Sequence, residues 1–430
     1  MTEEAAKAGG LAGRVAAAVG DQGLVSAANF GLNLALARWA GAEEFGAYAA
    51  AFSGFLFLAG AHSALVRDPC LVLGAPLARP DQLRLLGAEV LLHFLLTVSV
   101  AAIGVGLTLA LAAGFSWSVM LVASFVAAAL TLPTLLLYWL ARQGAYLLGR
   151  PAVAAFSSGL YAALVVAGAA GLVVSGRASA WSFFLVQGGA GLVAGAVGLH
   201  RLGVRGRHLT VGNFRAQARR LGRAQWEYGR WVLASAVVDW GATAAFAPLL
   251  AAFISLPAAG AFRALEQLFL PVTRVLQAGV LLAIPELARR FADQGARALR
   301  RPGLILTGVS LLALAAWSVV PLAAPERVVE VVFGAEYVAY SPLVFWIAVA
   351  TAFTTVRLWL DALSRAAVAP KLSFFAQLAA TAVILVLARG LLEAYGAVGA
   401  AYLAAGSAAA GAFVLAVGWL VFERRAGTDS

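Results

Sequence analysis

Cysteine is almost missing from this sequence, because Cys70 is the single one among 430 residues. An internal disulfide and a cysteine-based metal cluster are therefore excluded. Histidine is also scarce, with copies at His62, His93, His200 and His208. These four show neither an HExxH motif nor a similar metal-binding spacing. We therefore predict no metal site and no resident cofactor.

Charged residues are scarce as well. They make up 12% of the chain, whereas soluble domains carry about 25%. Apolar residues make up 62%, and the mean hydropathy is +0.89, so lipid is the main solvent of this chain. The N-terminal segment MTEEAAKAGG begins with acids and lacks the basic start of a cleaved signal peptide. We expect the first span itself to direct membrane insertion.

Apolar stretches long enough to cross a bilayer recur along the whole chain. A span needs about 20 mostly apolar residues, and twelve stretches are of that kind. The sequence therefore predicts an all-α membrane protein of about twelve transmembrane helices. The predicted spans are roughly 20–38, 47–66, 86–112, 118–141, 152–174, 180–200, 229–253, 258–285, 303–322, 341–363, 372–392 and 395–421.

The positions of lysine and arginine predict the orientation of these spans. With the N-terminus inside, 24 of the 31 basic residues fall in inner segments and 4 fall in outer loops. The remaining 3 are Arg263, Arg274 and Arg357, which lie within predicted spans. Because lysine and arginine favour cytoplasmic loops, both termini are predicted to be cytoplasmic.

The longest loop, at about residues 200–227, is basic and divides six spans from six. Its arginines suit both the topology and attraction to anionic membrane lipid. It lacks interleaved aromatics and any recognisable nucleic-acid module, so nucleic acid is not predicted as a partner. We predict an N-terminal six-helix bundle at 1–205, a cytoplasmic basic linker at 206–228 and a C-terminal six-helix bundle at 229–430.

The two predicted bundles resemble each other in short segments. FGAYAAAF at 45–52 aligns with AGAFRALE at 259–266, and GLVAGAVG at 191–198 aligns with GAFVLAVG at 411–418. Each pair occupies the same span of its half. A repeat of six spans has one orientation in both copies, so it predicts a pseudo-twofold axis along the membrane normal.

One predicted span, 258–285, contains the charged stretch FRALEQLFLPVTR. A charge at the bilayer centre costs at least about 2.5–3.5 kcal/mol. Glu266 lies three residues after Arg263, so the two can pair on one helical face. Arg274 lies deeper in the span, and Pro271 is expected to bend the helix between the two arginines. We predict that Arg263 and Arg274 bind an anionic substrate, because a guanidinium suits phosphate oxygens.

Other polar residues in predicted spans are further candidates. Asp239 is expected either to bind a coupling proton or Na⁺ or to serve as the counter-charge of Arg274. Arg357 is a further candidate substrate contact, and Asp361 is spaced to pair with it near the inner end of their span. Asn29 and Asn33 share one face of the first span and either bind substrate or bond between helices. A structural ion pair between helices is the alternative for the charged residues.

Several segments resemble one known family. The opening DQGLVSAANFGLNLALARWAGAEEFGAYAAAF at 21–52, VVFGAEYVAYSPLVFWIAVA at 331–350 and YGAVGAAYLAAG at 395–406 are similar to bacterial polysaccharide-biosynthesis flippases. These belong to the multidrug/oligosaccharidyl-lipid/polysaccharide (MOP) exporter superfamily. The resemblance implies two six-helix bundles that form a V-shaped central cavity. It also implies a bacterial cytoplasmic (inner) membrane and a cavity lined by cationic groups.

The resemblance implies a flippase, and not an enzyme, that moves an undecaprenyl-diphosphate-linked oligosaccharide by alternating access for envelope or exopolysaccharide synthesis. A cation- or drug-exporting antiporter of the same superfamily is the alternative, with Asp239 and Glu266 as ligands. A membrane glycan polymerase or ligase is disfavoured, since the outer loops are short. We expect a monomer, with the polysaccharide polymerase machinery as a candidate partner. The three in-span arginines are balanced by Asp239, Glu266 and Asp361, which leaves the choice of substrate charge open.

Overall fold

The computed structural model describes residues 3–115, 117–367 and 369–426. The outermost residues of both predicted cytoplasmic termini, 1–2 and 427–430, lie outside these ranges. The described residues form helices and turns, with no strand among them. The helices are α1 (Glu3–Ala40), α2 (Ala42–His62), α3 (Asp68–Gly74), α4 (Arg79–Gly114), α5 (Val119–Leu147), α6 (Pro151–Val174), α7 (Ala180–Leu202), α8 (Val211–Thr243), α9 (Phe246–Phe253), α10 (Leu256–Gln267), α11 (Leu270–Gln294), α12 (Arg300–Ala323), α13 (Pro325–Val332), α14 (Leu343–Ala366) and α15 (Pro370–Ala426).

The chain is a multi-pass membrane protein. Within the described ranges, eight helical segments are long and apolar enough to cross a bilayer, and nine if α8 and α9, bent by 52°, form one span. Helix α15 is counted once there, although Gly396 bends it into two parts of span length. Helix α1 and the consecutive helices α10 and α11 are further candidates for spans. With them, the set is roughly consistent with the twelve predicted helices. The all-α fold class is therefore confirmed.

Two glycines let α15 turn back on itself. Gly396 has φ +57°, a left-handed conformation that residues with a Cβ rarely adopt. A Cβ at Gly399 would lie 2.0 Å from the backbone oxygen of Leu391. The chain therefore passes so close to itself at this bend that only glycine fits.

The chain forms two compact units. The first contains Met1–Ala40 and Ala51–Val237, and the second contains Gly41–Ala50 and Val238–Ser430. The residues predicted as a linker, 206–228, include the start of α8, a single helix that continues into the predicted seventh span. An i,i+4 ion pair between Arg223 and Glu227, at 2.9 Å, supports this exposed part of the helix.

The repeated segments of the sequence are sites of close helix packing. In the first unit, a Cβ at Gly191 would lie 2.8 Å from the Cα of Leu135. In the second unit, a Cβ at Gly260 would lie 2.1 Å from the backbone oxygen of Ala42. Small residues allow helix backbones to approach this closely in membranes. Gly46 and Gly260, which occupy equivalent positions in the aligned segments, thus meet in the second unit, where the start of α2 lies against α10.

A buried ion pair joins three helices of the first unit. Asp21 on α1 accepts hydrogen bonds from Arg142 on α5 at 3.0 and 2.6 Å. Tyr146 donates to the same carboxylate at 2.5 Å, and Ser158 of α6 also donates to it. The Asp21 side chain is 1% exposed. All of these contacts satisfy the carboxylate, so this cluster holds α1, α5 and α6 together.

Candidate functional site

A cavity of about 250 Å³ lies inside the second unit. Six helices surround it, namely α8 at its C-terminal end, α9, α10, α11, α14 and α15. Ten of its nineteen lining residues are apolar and nine are polar or charged, so its wall combines apolar surface with many hydrogen-bonding groups. The polar and charged residues that line it are Thr243, Arg263, Glu266, Gln267, Thr273, Thr351, Thr354, Arg357 and Ser407.

Helix α10 contributes a charged pair to this cavity. Nη1 of Arg263 donates to Oε2 of Glu266 at 2.9 Å, and the two side chains are 35% and 34% exposed. The pairing expected from their i,i+3 spacing is therefore confirmed. Because the two charges compensate each other, this pair adds no net charge to the cavity.

The helix breaks between the two arginines of the stretch FRALEQLFLPVTR. Helix α10 ends at Gln267 and α11 begins at Leu270, with Pro271 in its first turn. The break predicted from Pro271 is confirmed. The indole Nε1 of Trp317 donates to the backbone oxygen of Leu268 at 2.8 Å and so satisfies a carbonyl at the break.

Arg274 lies beyond this break and is not among the residues that line the cavity. Its side chain is exposed, and Nη1 donates to Oε1 of Gln277, one turn further along α11, at 3.0 Å. The two arginines of the quoted stretch therefore have different surroundings. Arg263 faces the cavity, whereas Arg274 bonds within its own helix.

Among the described residues, Arg357 of α14 is the charged residue of the cavity wall that forms no direct ion pair. Asp361, its expected partner, pairs instead with Arg365, which lies at the same i,i+4 spacing. Arg357 donates to Oε1 of Gln377 on α15. Gln377 in turn donates through Nε2 to Oδ1 of Asp239 at 2.8 Å. Asp239 is therefore linked to Arg357 through an amide, and its contact differs from the expected pairing with Arg274.

A glycine makes room for Arg357. A Cβ at Gly411 would lie 3.3 Å from Cδ of Arg357 and 3.2 Å from the backbone oxygen of Ala376. The second part of α15 therefore approaches the arginine stem closely. Gly411 opens the segment that aligns with 191–198, so this sequence repeat coincides with the wall of the site.

Gln267 is a lining residue that the sequence reasoning missed. It is 3% exposed, and within the described part of the chain its Oε1 has no hydrogen-bond donor. A buried acceptor without a donor carries a free-energy cost of about 1–3 kcal/mol. The available signal was its position, one turn after Arg263 on the same face of α10.

The hydroxyls on the opposite wall are engaged by their own helices. Thr351 and Thr354 donate to backbone oxygens of α14 at 2.7 and 2.9 Å, and Ser407 donates to Ala404 of α15 at 3.0 Å. Their oxygens still have lone pairs to accept hydrogen bonds. These groups therefore favour a ligand that carries donors, such as a sugar.

The two asparagines predicted as uncharged ligands lie in the first unit. Nδ2 of Asn33, which is 8% exposed, donates to the backbone oxygen of Asn29 at 2.9 Å. This bond stays within one turn of α1. The structure thus brings together Arg263, Glu266 and Arg357 at one cavity and places Asn29 and Asn33 elsewhere.

The cavity as a whole can bind an anion. Arg263 and Glu266 cancel, so Arg357 leaves the three charged lining residues with a net charge of +1. Arginine binds carboxylate and phosphate groups with two parallel hydrogen bonds. Among the described residues there is no cluster of three metal-ligating side chains. The chemistry on offer is recognition of an anionic group flanked by hydroxyls.

No protein-family model and no curated protein matches the chain. Solved structures do match it along nearly its full length. An inward-facing multidrug resistance MATE family transporter of the MOP superfamily gives a TM-score of 0.72 at 12% identity, covering 96% of this chain and 98% of that one. The lipid II flippase MurJ, in an inward closed conformation, gives 0.72 at 11% identity, covering 93% and 86%.

A third match is a MOP superfamily transporter from Pyrococcus furiosus, whose binding pocket is described as having reverse polarity. Its TM-score is 0.66 at 12% identity, and the alignment covers 96% of this chain and 95% of that one. These matches are structural, since the sequences share few residues. The chain therefore has the helical fold seen in transporters and flippases of the MOP superfamily.

Proposed function

We propose that this protein is a flippase that moves an undecaprenyl-diphosphate-linked oligosaccharide across a bacterial cytoplasmic membrane by alternating access. The observation that carries the proposal is Arg357, a guanidinium in an otherwise charge-balanced cavity. The likeness to MOP-superfamily structures, one of them a lipid II flippase, supports it. In this proposal the chain is a transporter and not an enzyme.

Each part of the cavity has a role in the proposal. Arg357 binds a phosphate oxygen or an acidic sugar, because its fork of donors matches such groups. Gln267, whose buried Oε1 has no donor among the described residues, accepts a sugar hydroxyl once its side chain turns towards the cavity. The cavity volume of about 250 Å³ fits the part of the head group next to the lipid. The prenyl tail stays in the surrounding lipid.

The other predicted residues keep narrower roles. Arg263 and Glu266 form the second charged wall of the site, and their ion pair can open to accept a ligand. Arg274 remains a proposed contact for the anionic head group along α11. Asn29 and Asn33 remain proposed contacts of the first unit. A monomer in an inner membrane with both termini in the cytoplasm remains the proposed form.

A second candidate function is export of a lipophilic cation or drug. The observation that favours it is the aromatic wall next to Glu266, where the rings of Phe246 and Phe262 stack with centroids 5.7 Å apart. Aromatic rings attract cations, and a carboxylate adds to that attraction. In this alternative Glu266 releases Arg263 and binds the cation.

Deletion of the gene in the source bacterium separates the two functions. The flippase predicts loss of an envelope or secreted polysaccharide, with lipid-linked precursor accumulating on the cytoplasmic side and unchanged susceptibility to cationic drugs. Complementation with the wild-type gene should restore the polymer, and Arg357→Gln should not. A deletion strain with normal polysaccharide and raised drug susceptibility would refute the flippase and support the exporter.

A further inference from the structure

Three side chains form a relay beside the cavity. Arg357 on α14 donates to Oε1 of Gln377 on α15, and Nε2 of Gln377 donates to Oδ1 of Asp239 on α8. Arginine has only donors, and an ionised carboxylate has only acceptors. The amide between them can therefore satisfy both neighbours in one orientation, with its oxygen towards Arg357. An ionised Asp239 thus holds Gln377 in the orientation that engages Arg357.

The helices that carry the relay are held together independently of it. Thr381, one turn after Gln377, donates to the backbone oxygen of Val238 at 3.0 Å. A Cβ at Gly241 would lie 3.1 Å from the Thr381 side chain, so α8 and α15 are in close contact here. The amide of Gln377 can therefore turn over without separating the two helices.

Protonation of Asp239 changes what the amide can do. A protonated carboxyl group gains an O–H donor, which can donate to Oε1 of Gln377. The amide can then turn so that Nε2 faces the guanidinium of Arg357. In this second orientation, which an ionised Asp239 does not permit, the donors of Gln377 and Arg357 face each other and form no hydrogen bond, so Arg357 has no protein acceptor. Its guanidinium is then free to donate to an anion in the cavity.

We propose that Asp239 is a proton-binding site that controls, through Gln377, whether Arg357 is available to an anionic ligand. This inference rests on the proposed function, in which Arg357 contacts the anionic head group. Coupling between two ligands is reciprocal, so a bound anion promotes proton uptake at Asp239 to the same degree. The state that binds the anion is therefore also the state that binds the proton.

Few other charges act on this relay. Among the described residues, the charged groups with an electrostatic effect on Asp239 are Arg357 and Asp361. Asp361 is paired with Arg365, and helix α9, which follows α8, carries no charged residue. Asp239 itself is exposed, so a proton can reach it. Asp361 is therefore the other titrating group that acts on Asp239, and it serves as the control.

The test measures binding of a short alkyl sulfate to purified protein in detergent from mildly alkaline to mildly acidic pH. This probe keeps one negative charge throughout, so a change in affinity reports the protein. Releasing the guanidinium of Arg357 from one charge-assisted hydrogen bond should raise its affinity for the anion about tenfold. We expect wild-type binding to become about tenfold tighter at acidic pH, with proton uptake on binding. Asp239→Asn should remove this pH dependence, whereas Asp361→Asn should keep it.

Variants of Gln377 test whether its amide transmits the effect of Asp239 protonation to Arg357. Gln377→Leu removes the acceptor of Arg357, so binding should be pH-independent and as tight as in acidic wild type. Gln377→Glu places a carboxylate against Arg357 and should give the weakest binding at alkaline pH. Unaltered pH dependence in Asp239→Asn, or weak binding by Gln377→Leu, would overturn the inference while leaving anion binding intact. Absence of sulfate binding by wild type at every pH, with a lipophilic cation bound instead, would overturn the proposed function as well.

Discussion

Neutralising Glu266 should change the affinity of the cavity for anions and cations in opposite directions. Glu266→Gln leaves Arg263 without its partner and raises the net charge of the three charged lining residues from +1 to +2. The glutamine keeps the size of the side chain. The variant therefore changes the charge of the cavity while its shape stays nearly the same.

The magnitude follows from the size of the cavity. A sphere of about 250 Å³ is about 8 Å across. At that separation, with an effective dielectric constant of about 20, one unit charge changes the binding energy of a monovalent ligand by about 2 kcal/mol. Both side chains are about one-third exposed, and solvent screening reduces the effect. We therefore expect about a tenfold change in affinity.

The assay is calorimetric titration of purified protein with two monovalent probes, a short alkyl sulfate as the anion and tetraphenylphosphonium as the cation. Glu266→Gln should bind the anion about tenfold more tightly and the cation about tenfold more weakly. The double variant Arg263→Gln/Glu266→Gln restores the net charge of +1 and should bind both probes like wild type. Equal affinities in all three proteins would refute the assignment of this cavity as the site.

Three further predictions concern packing. Arg142→Met leaves the buried carboxylate of Asp21 uncompensated and should lower the free energy of unfolding by about 3–5 kcal/mol. The melting temperature in detergent should therefore fall strongly, and adding Asp21→Asn should partly restore it. A Tm equal to that of wild type would contradict the role of this ion pair. Gly260→Ala places a methyl group 2.1 Å from a backbone oxygen and should abolish the folded, monodisperse protein, whereas Gly279→Ala, with nothing within 4 Å, should elute like wild type. Gly411→Ala crowds the stem of Arg357 at 3.3 Å and should weaken binding of the alkyl sulfate probe several-fold at unchanged melting temperature. Unchanged affinity would contradict the role of this close contact in positioning Arg357.

The number and type of helices could be predicted because hydropathy and length are local properties of the sequence. The close contacts that define the units could not. Gly46 and Gly260 both lie in the segments that align between the two halves, yet the alignment gave no sign that these segments touch. Contact between segments distant in the chain depends on backbone geometry, which composition does not encode. The long helix α8 similarly joins a basic surface segment to an apolar span without a break in the backbone.

The candidate site could be predicted in part for the same reason. The i,i+3 spacing of Arg263 and Glu266 predicted their pair, because neighbours on one helix are set by the helical period. The i,i+4 spacing of Arg357 and Asp361 predicted a pair as well, but Arg365 is spaced equally and takes the aspartate. Gln377 could not be found, since its bonds join three different helices. Polar residues that act across helices leave no periodic signal.

The most direct test of the account is transbilayer movement of a fluorescent polyprenyl-diphosphate-linked sugar in proteoliposomes. Wild-type protein should make the inner-leaflet probe accessible to an outside quencher. Arg357→Gln should remove most of that movement, and Arg357→Lys should retain part of it because the positive charge remains without the two-pronged geometry. Movement by Arg357→Gln at the wild-type rate would contradict the claim that this guanidinium binds the transported head group.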